Sequence, residues 1–237
     1  MSKSSHPIIE FIEVSKLFND KIVLDNVNLK IKENQLLGLV GISGAGKTTL
    51  FRLLLQLYEP DKGKIEYKGK KITTDFKQVV GFASQEGSFY PKLTIMENLE
   101  YFGKMYGLKK ETLIENANSI LETIGLVESI NKRADKLSGG MKRRLDFAIA
   151  LIHNPQIIIF DEPTTGLDVI IKDDIWALIN KIHKLGKTII ISSHNLVELE
   201  QNCQKIIFVK EGQVSIIDHK LKSRKKSLEK LFRDLHK

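Results

Sequence analysis

Leu36-Leu37-Gly38-Leu39-Val40-Gly41-Ile42-Ser43-Gly44-Ala45-Gly46-Lys47-Thr48-Thr49-Leu50 is the stretch from which the rest of the chain is read. Residues 36–40 form a short continuous apolar run, the pattern of a strand buried on both faces. The run enters a glycine-rich segment, Gly41 to Thr48, that fits Gly-x4-Gly-Lys-[Ser/Thr], and a helix is expected from residue 46 to about 58, ended by Pro60. Glycines let successive backbone N–H groups converge on phosphate oxygens, at a helix N-terminus whose dipole favours negative charge. Lys47 is placed to reach the β and γ phosphates of a nucleoside triphosphate, and the Thr48 hydroxyl to ligate Mg²⁺.

Outward from this loop, residues 8–14 and 22–31 alternate apolar and polar side chains, with Asn19-Asp20 and Glu33-Asn34 as turn residues. That pattern predicts half-buried antiparallel strands. Strands are also expected at 64–67 and 79–83. From 94 to about 131 the period becomes helical, with Met96, Leu99, Phe102 and Met105, then Leu113, Ala117, Ile120, Leu121 and Ile124, which predicts a helical insertion. A helix should follow Leu137-Ser138-Gly139-Gly140 and run to 152, then a buried strand at 157–160, a helix at 172–185, a strand at 188–192, a helix at 196–202, and paired strands at 205–209 and 213–217. Buried strands alternating with helices define an α/β fold with a mainly parallel sheet covered on both faces.

Composition narrows the possibilities. With 237 residues, 42% of them hydrophobic, the chain is long enough for one large α/β domain. The longest apolar runs fall far short of the ~20 residues that span a bilayer. Residues 1–7 lack the basic start, apolar stretch and small-residue cleavage site of a secretory signal, so a cytoplasmic location is expected. The lone Cys203 is expected to be a small buried apolar residue, and the six histidines show no metal-ligand spacing. Eight Lys and Arg lie between Lys220 and Lys237 against Glu229 and Asp234, which leaves only about +2 of the +8 net charge for the rest of the chain. The basicity belongs to the tail, and no basic face argues for nucleic acid as a partner.

Two further segments carry chemistry. Ile157-Ile158-Ile159-Phe160-Asp161-Glu162 is an apolar run ending in two acids, and a buried parallel strand delivers functional residues at its C-terminal end. Asp161 would hold the metal through water, and Glu162 would orient or deprotonate an attacking water. Leu137-Ser138-Gly139-Gly140-Met141-Lys142-Arg143-Arg144 reads as a Ser N-cap opening a basic helix, whose start is a second candidate phosphate site.

The order of these elements resembles that of the ATP-binding cassette (ABC) ATPases. Leu137 to Arg144 is similar to the signature motif of that family, Gln85 to its glutamine loop, Gly166-Leu167-Asp168 to its aspartate loop, and His194 to its switch histidine. Phe18 occupies the place of the aromatic that stacks on adenine. The resemblance implies a P-loop NTPase (RecA-like) core with an N-terminal antiparallel β subdomain, and an α-helical subdomain inserted at about 86–145 of a 1–218 domain. It implies Glu162, His194, Gln85 and Lys47 as catalytic residues. For ATP it implies Phe18, Val23, Gly41, Ser43, Gly44, Ala45, Gly46, Lys47, Thr48 and Thr49, with Ser138, Gly139, Gly140 and Asp168 contributed across a pair of chains. For Mg²⁺ it implies Thr48, Gln85 and Asp161. Met141 stands where many members have Gln, and Val169 where many have Pro.

In the resemblance, a second cassette, either another copy or a paralogue, closes around two ATP molecules and works on an integral membrane permease from the cytoplasmic face. Residues 85–99, the Leu-Ser-Gly-Gly-Met-Lys-Arg-Arg-Leu stretch and residues 227–235 resemble drug, antibiotic and polysaccharide exporters. An importer subunit and a soluble ABC ATPase remain the alternatives. The tail, 219–237, has two readings: a short amphipathic helix with Leu228, Leu231, Phe232 and Leu235 on one face, packed on the domain, and a basic stretch at 220–226 facing anionic lipid.

Overall fold

Alternating side chains build the first sheet. β1 (Ile9–Phe18) and β2 (Lys21–Ile31) pair antiparallel, with Ile9 opposite Ile31 and Phe18 opposite Lys21. The turn between them places Asn19 and Asp20 at φ 47° and 62°, the handedness that two-residue hairpin turns require and that Asn and Asp tolerate. The alternation that predicts a strand at 8–14 breaks because Val14 and Ser15 are both buried. A register shift between Phe11 and Val14, with Glu13 at φ 53°, is a bulge, and beyond it the strand resumes. β3 (Leu36–Val40) keeps its expected bounds. α1 (Lys47–Leu54) stops before 58 because the amides of Leu57 and Tyr58 both turn back onto the Arg52 carbonyl, at 2.8 and 3.1 Å. β4 (Lys62–Tyr67) and β5 (Lys70–Lys71) complete a sheet of order β2-β1-β4-β5.

The second sheet adds β6 (Val80–Ala83), β7 (Ile157–Asp161), β8 (Thr188–Ser192), β9 (Lys205–Lys210) and β10 (Gln213–Asp218), in the order β10-β9-β3-β8-β7-β6. β3 runs parallel to β9 and β6 parallel to β7, while β10 is antiparallel to β9. Every residue of β3 and β8 is buried, as is every residue of β7 except Asp161. Continuous apolar runs therefore fall where both faces are covered, and chain polarity returns at the strand end. Cys203 is buried as expected, which raises its thiol pKa.

The computed structural model describes residues 7–42 and 44–218. Ser43 and the expected basic tail with its amphipathic helix, 219–237, lie outside them. The chain divides into two units, one ending at Lys77 and resuming at Ile190, the other running from Gln78 to Ile189. Among the described residues no helix is long and apolar enough to cross a membrane.

The second unit contains α2 (Ile95–Met105), α3 (Lys110–Ile124), α4 (Gly139–Leu151) and α5 (Val169–Lys184). α6 (Leu196–Asn202) belongs to the first. The helical stretch expected from 94 to 131 divides at Gly107, φ 75°, and after Ile124 continues only as short 3-10 turns. α2 opens on a reciprocal cap: Thr94 accepts from the Glu97 amide at 3.2 Å, and the Glu97 carboxylate accepts from the Thr94 amide at 2.7 Å. α5 begins at 169 rather than 172 because the Asp168 carboxylate accepts from the Ile171 amide at 3.0 Å.

His153, just beyond α4, is buried, stacks on Tyr106 with centroids 3.6 Å apart, and places Nε2 3.1 Å from the Val80 carbonyl. Burial lowers its pKa from the ordinary 6.5 to about 4, against the raising effect of the Val80 contact, with Lys187 lowering it further. The folded chain thus keeps this ring neutral where the unfolded chain takes up a proton. Its stabilisation is complete above pH 6.5 and lost as pH falls toward 4, by on the order of 3 kcal/mol. The melting-temperature advantage of the parent over His153→Gln should therefore narrow between pH 7 and pH 4.5. A constant difference would show that the ring is not held neutral.

Candidate nucleotide site

In the first unit, the loop 41–48 joins β3 to α1. A Cβ on Gly41 would stand 2.4 Å from the Val209 carbonyl oxygen, so only glycine fits this approach. Gly46, at φ 109°, is the N-cap of α1; no side chain caps it, and the first turn holds no acidic residue. Gly44 has φ 81° and open space on its outer side. The amide of Ala45 donates to the Ile42 carbonyl at 3.1 Å and tightens the loop. The Lys47 ammonium folds over it, 2.6 Å from the Gly41 carbonyl and 3.2 Å from that of Ile42. Thr48 is exposed and Thr49 half-buried. The positive end of a helix, backbone amides in left-handed glycine turns and an ammonium together form an anion cradle.

The same unit places three other expected residues. Val23 lies beside the loop, its carbonyl oxygen 3.0 Å from a Cβ built on Gly46. Phe18, at the tip of β1, is exposed and meets Tyr58 edge-on at 5.2 Å, while the Leu17 amide donates to Asp61 at 2.7 Å and holds that tip. His194 is exposed after β8, between buried Ser193, which accepts from the Asn195 amide, and Asn195, which caps α6.

In the second unit, β7 ends at half-buried Asp161, and Glu162 follows at φ 49°. A non-glycine residue there is uncommon, and such strain concentrates at functional positions. The Glu162 carboxylate accepts from the Thr165 hydroxyl at 2.8 Å. Gln85 is exposed after β6. Ser138 caps α4 by accepting from the Met141 amide at 3.3 Å. Gly139 is exposed and Gly140 buried, with a Cβ on the latter 3.0 Å from Ile171. Asp168 caps α5, and a Cβ on Gly139 would stand 4.0 Å from Leu167, so the Ser138 turn and the aspartate loop adjoin.

The motif pattern singles out neither Arg143 nor Asp146 for function, yet both are buried on α4. The signal that could have found them is a pair of opposite charges three residues apart entering an apolar helix. As for a metal, among the described residues no three His, Cys, Asp or Glu side chains gather to hold one by themselves. Thr48 in the first unit, and Gln85 and Asp161 in the second, each carry a hard oxygen donor of the kind taken by Mg²⁺, an ion that leans on waters and substrate phosphates.

A phosphate-type loop between a buried strand and a helix, with another parallel strand ending in paired acids, defines a P-loop nucleotide-binding protein. The model of the ABC transporter family matches residues 24–165, more than half of the chain, and the chain belongs to that family as an ATP-binding cassette ATPase. It is 35% identical over 208 residues to the Nod factor export ATP-binding protein I of Rhizobium etli, covering 86% of this chain and 66% of that one. It is 35% identical over 210 residues to the linearmycin resistance ATP-binding protein LnrL of Bacillus subtilis, covering 87% and 68%. The chain thus spans about two thirds of the length of these relatives. It is also 35% identical to the ABC transporter ATP-binding protein NatA of Bacillus subtilis, covering 87% of each. Among solved structures, the ATP binding subunit of an ABC transporter superposes with a TM-score of 0.84 at 24% identity, covering 97% of this chain and 100% of that one. The dimeric MJ0796 cassette superposes with a TM-score of 0.77 at 28% identity, covering 89% and 98%.

Burial raises the Asp146 carboxyl from its ordinary 3.8 to about 6, against the lowering effects of the Ser88 amide, 2.8 Å away, and of Arg143. The folded chain holds this proton more tightly than the unfolded chain, so the stabilisation is complete below pH 3.8 and lost as pH rises through 6. Asp146→Asn keeps an oxygen for the Ser88 amide and removes the charge. Its melting temperature should gain on that of the parent as pH is raised from 4 to 7; a pH-independent difference would contradict the assignment.

Proposed function

We propose that the chain is the ATP-hydrolysing subunit of an exporter. Two cassettes, either copies of this chain or this chain and a paralogue, close around two ATP molecules and drive a separate integral membrane permease from its cytoplasmic face. The observation that carries the nucleotide half of this reading is the cradle at residues 41–48, where the uncapped α1 N-terminus and the Lys47 ammonium converge. The names of the Nod factor export and linearmycin resistance relatives support export. The dimeric MJ0796 cassette supports pairing.

In this reading Gly44, Gly46 and Thr49 offer backbone amides to the phosphates, Gly41 and Ala45 shape the loop, and Ser43 is a further contributor. Lys47 neutralises the β and γ oxygens, while Phe18 and Val23 take the base and sugar side. Thr48, Asp161 and Gln85 would hold Mg²⁺, which when bound supplies charge neutralisation at the phosphates. Glu162 orients and deprotonates the attacking water, and His194 contacts the γ-phosphate. Ser138, Gly139 and Gly140 present the α4 N-terminus to the γ-phosphate held by the opposite cassette, with Asp168 beside them. Loss of that phosphate charge removes the reason for closure, so hydrolysis opens the pair.

Glu162→Gln should bind MgATP with an affinity close to that of the parent, lose turnover, and shift to twice the chain mass in light scattering with MgATP. Turnover at the parental rate would remove Glu162 from the role of base.

A further inference from the structure

Arg143 lies one turn inside α4 and is only 7% exposed. A guanidinium withdrawn from water is costly unless its donors are satisfied. Here the acceptors are main-chain carbonyls. Nη1 donates to the Ser84 oxygen at 2.9 Å, and Nη2 donates to those of Gln85 and Glu162, both at 3.3 Å. Asp146 and Asp161 provide the negative charge around it. Asp146 also accepts from the Ser88 amide, so α4 grips the segment after β6 at Ser84, Gln85 and Ser88.

One planar side chain thus fastens two segments that the hydrolytic reading treats as separate parts. The left-handed backbone at Glu162, φ 49°, persists only where its surroundings enforce it. The Arg143 bond to the Glu162 carbonyl and the Thr165 bond to its carboxylate are two such restraints, one on each end of the residue. Adjacent Arg144 is engaged differently, with the Ile124 carbonyl and with Asp174. Lysine cannot replace Arg143, because three donors on one nitrogen lack the planar fork that reaches carbonyls on two segments at once.

We propose that Arg143 is a positioning residue for ATP hydrolysis, holding the main chain at Glu162 and at Ser84-Gln85 in fixed mutual register without touching the nucleotide. The proposal rests on the roles given above to Glu162 and Gln85. It predicts a loss in the rate of the chemical step rather than in nucleotide affinity, since displacement of a reacting group by about 1 Å costs up to about 100-fold.

The test uses the full chain with Arg143→Lys, Arg143→Met and Glu162→Gln, each assayed for MgATP turnover at saturation, for affinity toward a fluorescent ATP analogue and for melting temperature. Both Arg143 variants should bind the analogue within about threefold of the parent and turn over at least about tenfold more slowly. If Arg143→Met does not fold, Arg143→Lys decides. Turnover within about twofold of the parent in a folded Arg143 variant, with Glu162→Gln inactive, overturns this proposal alone. A loss of affinity that matches the loss of rate also overturns it, because that is the signature of a general structural defect. Full turnover by Glu162→Gln overturns the underlying reading, and this proposal with it.

Discussion

The N-terminus of α1 governs the chemistry of this chain. A helix start carries unsatisfied amides and about half a positive charge, which proteins ordinarily quench with a Ser, Thr, Asp or Asn cap. α4, α5 and α6 follow that habit, with Ser138, Asp168 and Asn195 as caps. α1 does not: its cap position is Gly46, its first turn has no acid, and a lysine follows at once. Positive character is concentrated there instead of being neutralised, and phosphate is the ligand whose charge and oxygen geometry answer it. Val209 leaves no room for a side chain at Gly41, and Val23 crowds Gly46, whose φ of 109° itself favours glycine.

A second constraint acts at the end of β7. The strand is buried to Phe160, and the chain then emerges through Asp161 into a left-handed turn at Glu162. Such a residue is expensive to hold, and the fold uses the buried Arg143 together with Thr165 to hold it. The α4 helix, capped at its start by Ser138, anchors the acid-bearing segment and the segment after β6 from within through Arg143.

What could be read from the sequence follows from the locality of the forces. The strands at 36–40 and 157–160 were legible because burial on both faces demands an unbroken apolar run, and the loop was legible because its glycines and lysine have few other uses. The early end of α1 was not, since it depends on Arg52 accepting from Leu57 and Tyr58 and donating to the Tyr58 hydroxyl. The bulge at Glu13 was hidden for a similar reason: its amide is satisfied by Asn28 on the neighbouring strand. In Lys142-Arg143-Arg144 the sequence shows three equivalent cations, and only the rotational phase of α4 against its neighbours selects Arg143 for burial. The roles proposed for Gln85, Asp168 and His194 rest on family order alone, because a lone Gln, Asp or His after an element carries no chemistry of its own.

The central claim is that the loop at 41–48 is built to hold triphosphate, and calorimetric titration of MgATP into the parent and into Lys47→Ala tests it most directly. The parent should saturate at about one nucleotide per chain, while the variant, which loses only a half-buried ammonium lying over the Gly41 and Ile42 carbonyls, should melt at nearly the parental temperature and bind at least about tenfold more weakly. Equal affinities in two equally folded proteins would contradict the account.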